Sequence, residues 1–211
     1  MSNPNQNQAR HGDLNPVVST VLAHAVSRPT ALALIDGDTS VSYGELARLI
    51  HSVAAQLQER GVAAGSRVVM PAEHRIPFIA AYFATHLLSA VAIPISSELP
   101  TARREHLVHR IEPCTIVDLD EIDMVSGHSN NAPSIDSPSL DSISDITFTT
   151  GTTGQPKGVV LSHRNLSAVV RNINAFIGNG GDDVEVLTLP LYRAFGLGRL
   201  RCVLVAGGQS S

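Results

Sequence analysis

Apolar residues recur at helical spacing from Val17 to Val26, and Arg28-Pro29 closes that run because a residue before proline is pushed out of the helical region. Ala31–Ile35 and Thr39–Val41 are short apolar runs on either side of Asp36-Gly37-Asp38, a hairpin signal. Ser42 followed by Glu45 reads as a capping box, and Leu46, Leu49, Ile50, Val53, Ala54 and Leu57 form one stripe before Gly61 stops the helix. Arg67–Met70 then reads as a buried strand, Ile76–Leu88 as a buried helix, and Val91–Ile95 as a further strand. Thr101–Arg110 is a charged helix and Thr115–Val117 a short strand. This alternation predicts an α/β fold with a mostly parallel sheet and flanking helices.

The second half of the chain reads differently. From Asp118 to Ser144 the composition shifts to Ser, Asp and Asn, which predicts a linker or long surface loop. Ile146-Thr147-Phe148 and Val159-Val160-Leu161 are β-type runs flanking a Gly/Thr-rich stretch, so that stretch is expected to be a strand-to-strand turn. Ser162 is expected to cap a helix over Arg164–Ile177, and Val184–Leu189 reads as a strand ending at Pro190. After a turn around Phe195 and Gly196 the pattern predicts a last strand at Cys202–Ala206, leaving a sheet without a closing helix and apolar surface exposed around it. The resulting division is a disordered tail at 1–15, a first α/β subdomain at 16–117, an acidic Ser/Asp-rich loop or linker at 118–144, and an incomplete second subdomain at 145–211.

Composition narrows the function classes. A chain of 211 residues, 43% hydrophobic and 16% charged, is sufficient for a globular core. Its formal net charge of −4 and the absence of any Lys/Arg run exclude an electrostatic nucleic-acid surface. Cys114 and Cys202 each sit beside apolar residues and read as small core side chains of a reducing, cytoplasmic compartment. Met1–Asn15 has no apolar core of a secretory signal. Ile76–Ile95 approaches the length of a bilayer span, yet Pro77, Pro94, His86 and Ser89 favour a buried helix running into a buried strand, so no membrane span is expected. His106 and His109 share a helical face without a third ligand and read as surface histidines, so no protein metal site is expected.

The chemistry concentrates in Thr149-Thr150-Gly151-Thr152-Thr153-Gly154-Gln155-Pro156-Lys157-Gly158. Three glycines in eight residues permit a tight backbone carrying several N–H groups, four threonines add hydroxyls, and Lys157 adds a cation. That inventory suits a polyphosphate. It is not the P-loop of nucleotide hydrolases, because Gly158 rather than a hydroxyl residue follows Lys157 and the continuation is β-type; a dinucleotide fingerprint is absent for the same reason.

The run from Phe148 to Gly158 resembles the phosphate-binding signature of the adenylate-forming superfamily: acyl-CoA synthetases, firefly-type luciferases and adenylation domains of nonribosomal peptide synthetases. It departs only at Thr150, where the family usually has Ser. Ser42-Tyr43-Gly44-Glu45-Leu46, Phe78–Pro94 and Ser162-His163-Arg164-Asn165-Leu166 are similar to further family segments, with Ser89 standing where glycine is usual. Leu189–Gly196 resembles the aromatic-rich turn beside the acyl pocket, with Arg193 where the family commonly carries His.

The resemblance implies the N-terminal part of the large domain of an acid–thiol ligase: ATP, with Mg²⁺, reacts with a small carboxylic acid to give an acyl-adenylate, and CoA or an acyl- or peptidyl-carrier protein takes the acyl group. It implies catalytic roles for Lys157 and Thr152, nucleotide contacts from Thr149, Thr150, Gly151, Thr152, Thr153, Gly154 and Lys157, and substrate contacts from Tyr192, Arg193, Phe195 and Gly196. Arg193 reads equally as a tolerated surface change or as a cation meeting a polar or dicarboxylic acid. Family members run to about twice this length, and their later motifs are absent, so this portion alone is expected to be inactive. The alternative reading is a truncated, non-catalytic nucleotide- or acyl-binding remnant, or one piece of a split enzyme whose companion chain carries the C-terminal domain.

Overall fold

A computed structural model describes residues 16–124, 138–149 and 157–211. The expected tail at 1–15, the middle of the acidic loop and residues 150–156 lie outside the described residues.

The chain begins with α1 (Val17–Ser27), then a hairpin of β1 (Leu32–Asp36) and β2 (Thr39–Ser42) turning at Gly37, whose φ of 59° suits glycine. Helix α2 (Tyr43–Glu59) starts on the expected capping box: Ser42 Oγ accepts from the Glu45 amide, and Glu45 Oε2 accepts from the Ser42 amide at 2.8 Å. Strand β3 (Arg67–Ala72), helix α3 (Ile76–Leu87) and strand β4 (Val91–Ser96) form a βαβ unit, with β3 and β4 parallel in register from Arg67↔Val91 to Ala72↔Ser96. Helix α4 (Thr101–Ile111) leads to β5 (Thr115–Ile116). Then follow β6 (Ile143–Thr149), β7 (Lys157–Ser162), α5 (His163–Ile177), β8 (Val184–Glu185), α6 (Ala194–Ala206) and β9 (Gln209–Ser210).

The strands form two sheets, β2-β1-β9-β8 and β5-β3-β4-β6-β7. In the larger, β5, β3, β4 and β6 are parallel and only the edge strand β7 is antiparallel. Period-two alternation sorts its side chains: Val68, Met70 and Ala92 join the main core with α2 and α3, whereas Val69, Val91, Ile93 and Ile95 pack with Leu107 and Ile111 of α4. Both sheets draw strands from before and after residues 118–144. No helix among the described residues is long and apolar enough to cross a membrane, and the apolar stretch at 76–95 is the buried α3 followed by β4.

Two expected elements are corrected. Cys202–Ala206 is not a strand but the end of α6, which begins at Ala194 and stops at Gly207 in the left-handed region, φ 82°. A short apolar run fits either element, and here Arg199 and Arg201 obscured the longer helix because both turn their charges inward to partners. The turn expected around Phe195 and Gly196 is therefore the first turn of that helix, and the last strand among the described residues is the short β9 that follows it. The strand expected over Val184–Leu189 is only two residues long, matching its short partner β9. Exposed apolar side chains do occur nearby, at Val186, Leu189, Phe195, Val159 and Val160.

Candidate nucleotide and acyl site

The Gly/Thr motif leaves the sheet at the carboxyl end of β6, the edge at which parallel α/β sheets present ligands. Strands β6 and β7 pair from Asp145↔Leu161 through Phe148↔Gly158 to Thr149↔Lys157, so the expected strand-to-strand turn is an antiparallel hairpin. Thr149 and Lys157 face each other at its mouth, both exposed, and Thr149 Oγ1 reaches the Lys157 carbonyl at 3.4 Å. Thr150, Gly151, Thr152, Thr153 and Gly154 lie outside the described residues. Gly158 packs closely under the hairpin: a Cβ there would stand 3.3 Å from Ile146 and 3.4 Å from the Phe148 ring, a tight contact. Beyond β7, Ser162 and Asn165 form a second capping box that starts α5.

The turn over Leu189–Gly196, where substrate contacts are expected, is held by His74 and by the close approach of Gly196. His74, before α3, hydrogen-bonds the Leu189 carbonyl at 2.8 Å. Gly196 is buried under the turn, and a Cβ on it would fall 2.6 Å from the carbonyl oxygens of Leu189 and Pro190. Arg193 stands at the N-cap of α6 with its guanidinium 5.3 Å from the centroid of the Tyr192 ring, and Phe195 is 68% exposed. A cleft of about 50 Å³ lined by Asp36, His74, Leu187, Leu191 and Ser210 adjoins it, far below the several hundred Å³ of a ligand pocket. Among the described residues no group of three or more His, Cys, Asp or Glu side chains gathers as metal ligands.

A buried polar cluster that sequence reasoning missed joins β6, α3 and α6. Asp145 of β6 is fully buried and accepts from Tyr82 Oη at 3.1 Å, from Arg201 Nη1 at 3.0 Å and from His86 Nε2 at 3.1 Å. Arg201 Nη1 also donates to Tyr82 Oη at 2.8 Å. Burial alone would raise the Asp145 pKa, but His86, Arg201 and the Tyr82 hydroxyl hold the carboxyl below its ordinary value of 3.8. His163, first residue of α5, stands 5.0 Å from the His86 ring; burial and His86 push its pKa down to about 4. The available sequence signal was weak: Tyr82 and His86 sit at i, i+4 on a largely apolar helix, while their partners Asp145 and Arg201 lie 59 to 119 residues away.

A profile of AMP-binding enzymes matches residues 22–211. The chain belongs to the AMP-binding enzyme family. Similar proteins include a probable non-canonical nonribosomal peptide synthetase, CymA, of Salinispora arenicola, 31% identical over 163 residues that make up 75% of this chain and 2% of CymA. The anguibactin system regulator of Vibrio anguillarum is 31% identical over 204 residues, 86% of this chain and 19% of that protein. Among solved structures of similar fold, apo MatB from Rhodopseudomonas palustris superposes with a TM-score of 0.81 at 22% identity, over 92% of this chain and 44% of MatB. The NpsA N-terminal subdomain of Klebsiella oxytoca, bound to 3-hydroxyanthranilyl-AMSN, gives 0.83 at 20% identity, over 93% of this chain and 53% of NpsA. This AMP-binding chain thus spans 2–19% of these two curated relatives and 44–53% of these two structural neighbours.

Proposed function

We propose that this chain supplies the phosphate-holding part of an ATP-dependent carboxylate-activating ligase. The observation that carries the reading is the β6–β7 hairpin, which sets Thr149 and Lys157 opposite each other at the two ends of the Gly/Thr motif within the AMP-binding match. A carboxylate oxygen of the substrate attacks the α-phosphorus of Mg-ATP, the bond to pyrophosphate breaks, and an acyl-adenylate results. A thiol sulfur then attacks the acyl carbon and releases AMP. Such chemistry needs positioning and charge neutralisation more than covalent help. Backbone N–H groups around Gly151 and Gly154, with the hydroxyls of Thr149, Thr150, Thr152 and Thr153, take the β- and γ-phosphates, and Lys157 takes the charge developing on the departing pyrophosphate. An ATP-bound structure of MatB is among the structural neighbours and supports the choice of nucleotide.

The thiol belongs to a carrier protein in this reading, supported by the peptide synthetases among the sequence relatives, CymA and tyrocidine synthase 3 of Brevibacillus parabrevis. Tyr192, Arg193, Phe195 and Gly196 form the acyl side, with Gly196 closing the turn and the exposed Arg193 meeting a second carboxylate of the acid. A structure of VinN with L-aspartate, superposing with a TM-score of 0.78, is consistent with a dicarboxylic substrate.

ATP–pyrophosphate exchange in the full-length protein, run over a panel of mono- and dicarboxylic acids, tests the reading. Exchange is expected with at least one acid, and Lys157→Ala is expected to lower its rate by about 10²-fold, the loss typical of one charge-stabilising donor. Unchanged exchange in Lys157→Ala overturns the assignment of that lysine, and no exchange with any acid overturns the ligase reading.

A further inference from the structure

We infer that the buried Asp145–Arg201 pair couples the two halves of the site, making both side chains positioning residues for the proposed adenylation; this rests on the ligase reading above. Asp145 lies on β6 with Thr149 four residues on, a distance of about 13 Å along an extended strand. Arg201 lies on α6, eight residues or about 12 Å of helix beyond Arg193 at its N-cap. One strand and one helix therefore leave the same buried contact as two arms of nearly equal length. The first ends at the Thr149–Lys157 mouth of the phosphate hairpin and the second at the acyl turn.

The contact is built to hold the two arms in one arrangement. Arg201 Nη1 bridges Asp145 Oδ2 and Tyr82 Oη at 3.0 and 2.8 Å, and Tyr82 Oη also donates to that carboxylate. Tyr82 and His86 fix the carboxylate to α3, which is packed in the main core, so β6 and α6 are both referred to one rigid element. A shift of α6 along its axis would separate Arg201 from two partners at once and leave a charge buried without a counterion, which excludes small slippage. Arg201 is 4% and Asp145 0% exposed, so water does not replace the lost bonds.

The test uses Asp145→Asn together with Arg201→Met in the full-length protein. This double variant keeps the volume and leaves no unpaired charge, so its melting temperature is expected to stay within about 5 °C of wild type. Hydrogen exchange of the amides at 157–160 and at 194–198 is expected to quicken at least tenfold in both segments together. Pyrophosphate-exchange kcat is expected to fall at least tenfold while KM for ATP moves less than threefold, and Arg201→Lys, which keeps a charged donor, is expected to restore both readouts to within about threefold. Wild-type amide exchange at both segments, or loosening confined to one, overturns the coupling. Should the double variant fail to fold, Arg201→Lys and Arg201→Gln are compared by the same readouts, and equal behaviour of those two overturns it as well. The amide measurement is independent of the reaction, so a wild-type protein that activates no acid sinks the ligase reading alone.

Discussion

Arg201 Nη1 approaches Asp145 Oδ2 at 3.0 Å inside the core, across 56 residues of sequence, and the tyrosine hydroxyl that joins them comes from a third element. Two charges withdrawn from water are retained only because each satisfies the other. Arg201→Met alone leaves Asp145 buried without its cation and is expected to cost about 3–5 kcal/mol, several-fold more than the paired neutral variant. Chemical denaturation of the two variants side by side checks this; equal stabilities would mean that the ion pair does not hold the fold.

Acid sensitivity follows from the same cluster. His163 has an ordinary pKa of 6.5 when unfolded and about 4 when folded, so between these values the unfolded chain binds the extra proton. Its contribution is complete above pH 6.5 and is lost as pH falls towards 4. The groups facing it are His86, which lowers its pKa, and Asp145, which raises it. Asp145, held below 3.8, loses its own contribution only at lower pH. His163→Phe is expected to flatten stability between pH 6.5 and 4 while leaving the steeper loss below it, as measured by urea midpoints across pH.

Ser89 occupies the left-handed region with φ 55°, at the corner joining α3 to β4. A side chain there is strained, whereas glycine adopts that conformation freely at some cost in unfolded-state entropy. Ser89→Gly is expected to stabilise the protein by about 0.5–1 kcal/mol, read as a rise in melting temperature. A fall would mean that the serine hydroxyl makes a compensating bond.

Gly196→Ala places a methyl 2.6 Å from two backbone carbonyl oxygens. The segment at Leu189 and Pro190 must then move away from α6, at a cost of about 1–3 kcal/mol. In the proposed reaction, KM for the acid is expected to rise more than KM for ATP, because the displaced segment carries Tyr192 and Arg193. Steady-state kinetics with each substrate varied in turn measures that contrast, and an equal rise in both would argue against an acyl role for the turn.

Much of the fold was legible locally because the decisive interactions are local. The Ser42–Glu45 capping box, the Asp36-Gly37-Asp38 hairpin turn and the Leu46-to-Leu57 stripe each act within one or two turns of chain, and all three are realised. The motif at 149–158, flanked by β-type runs, identifies the family from a short window of sequence, and the hairpin register bears out the strand-to-strand reading. The last helix was not legible: Gly196 and Gly198 weaken its helical signal, and Arg199 and Arg201 break its apolar pattern, so only five apolar residues stood out.

By itself the sequence determined the alternation of elements, the caps that start α2 and α5, and the family to which the Gly/Thr motif belongs. Only the tertiary structure decided that Cys202–Ala206 ends a helix, that Arg201 and Asp145 are buried, and that Lys157 and Arg193 end two arms leaving one contact. The reason is that a charge enters the interior only where a distant partner meets it, and such a partner is invisible in any short window of sequence.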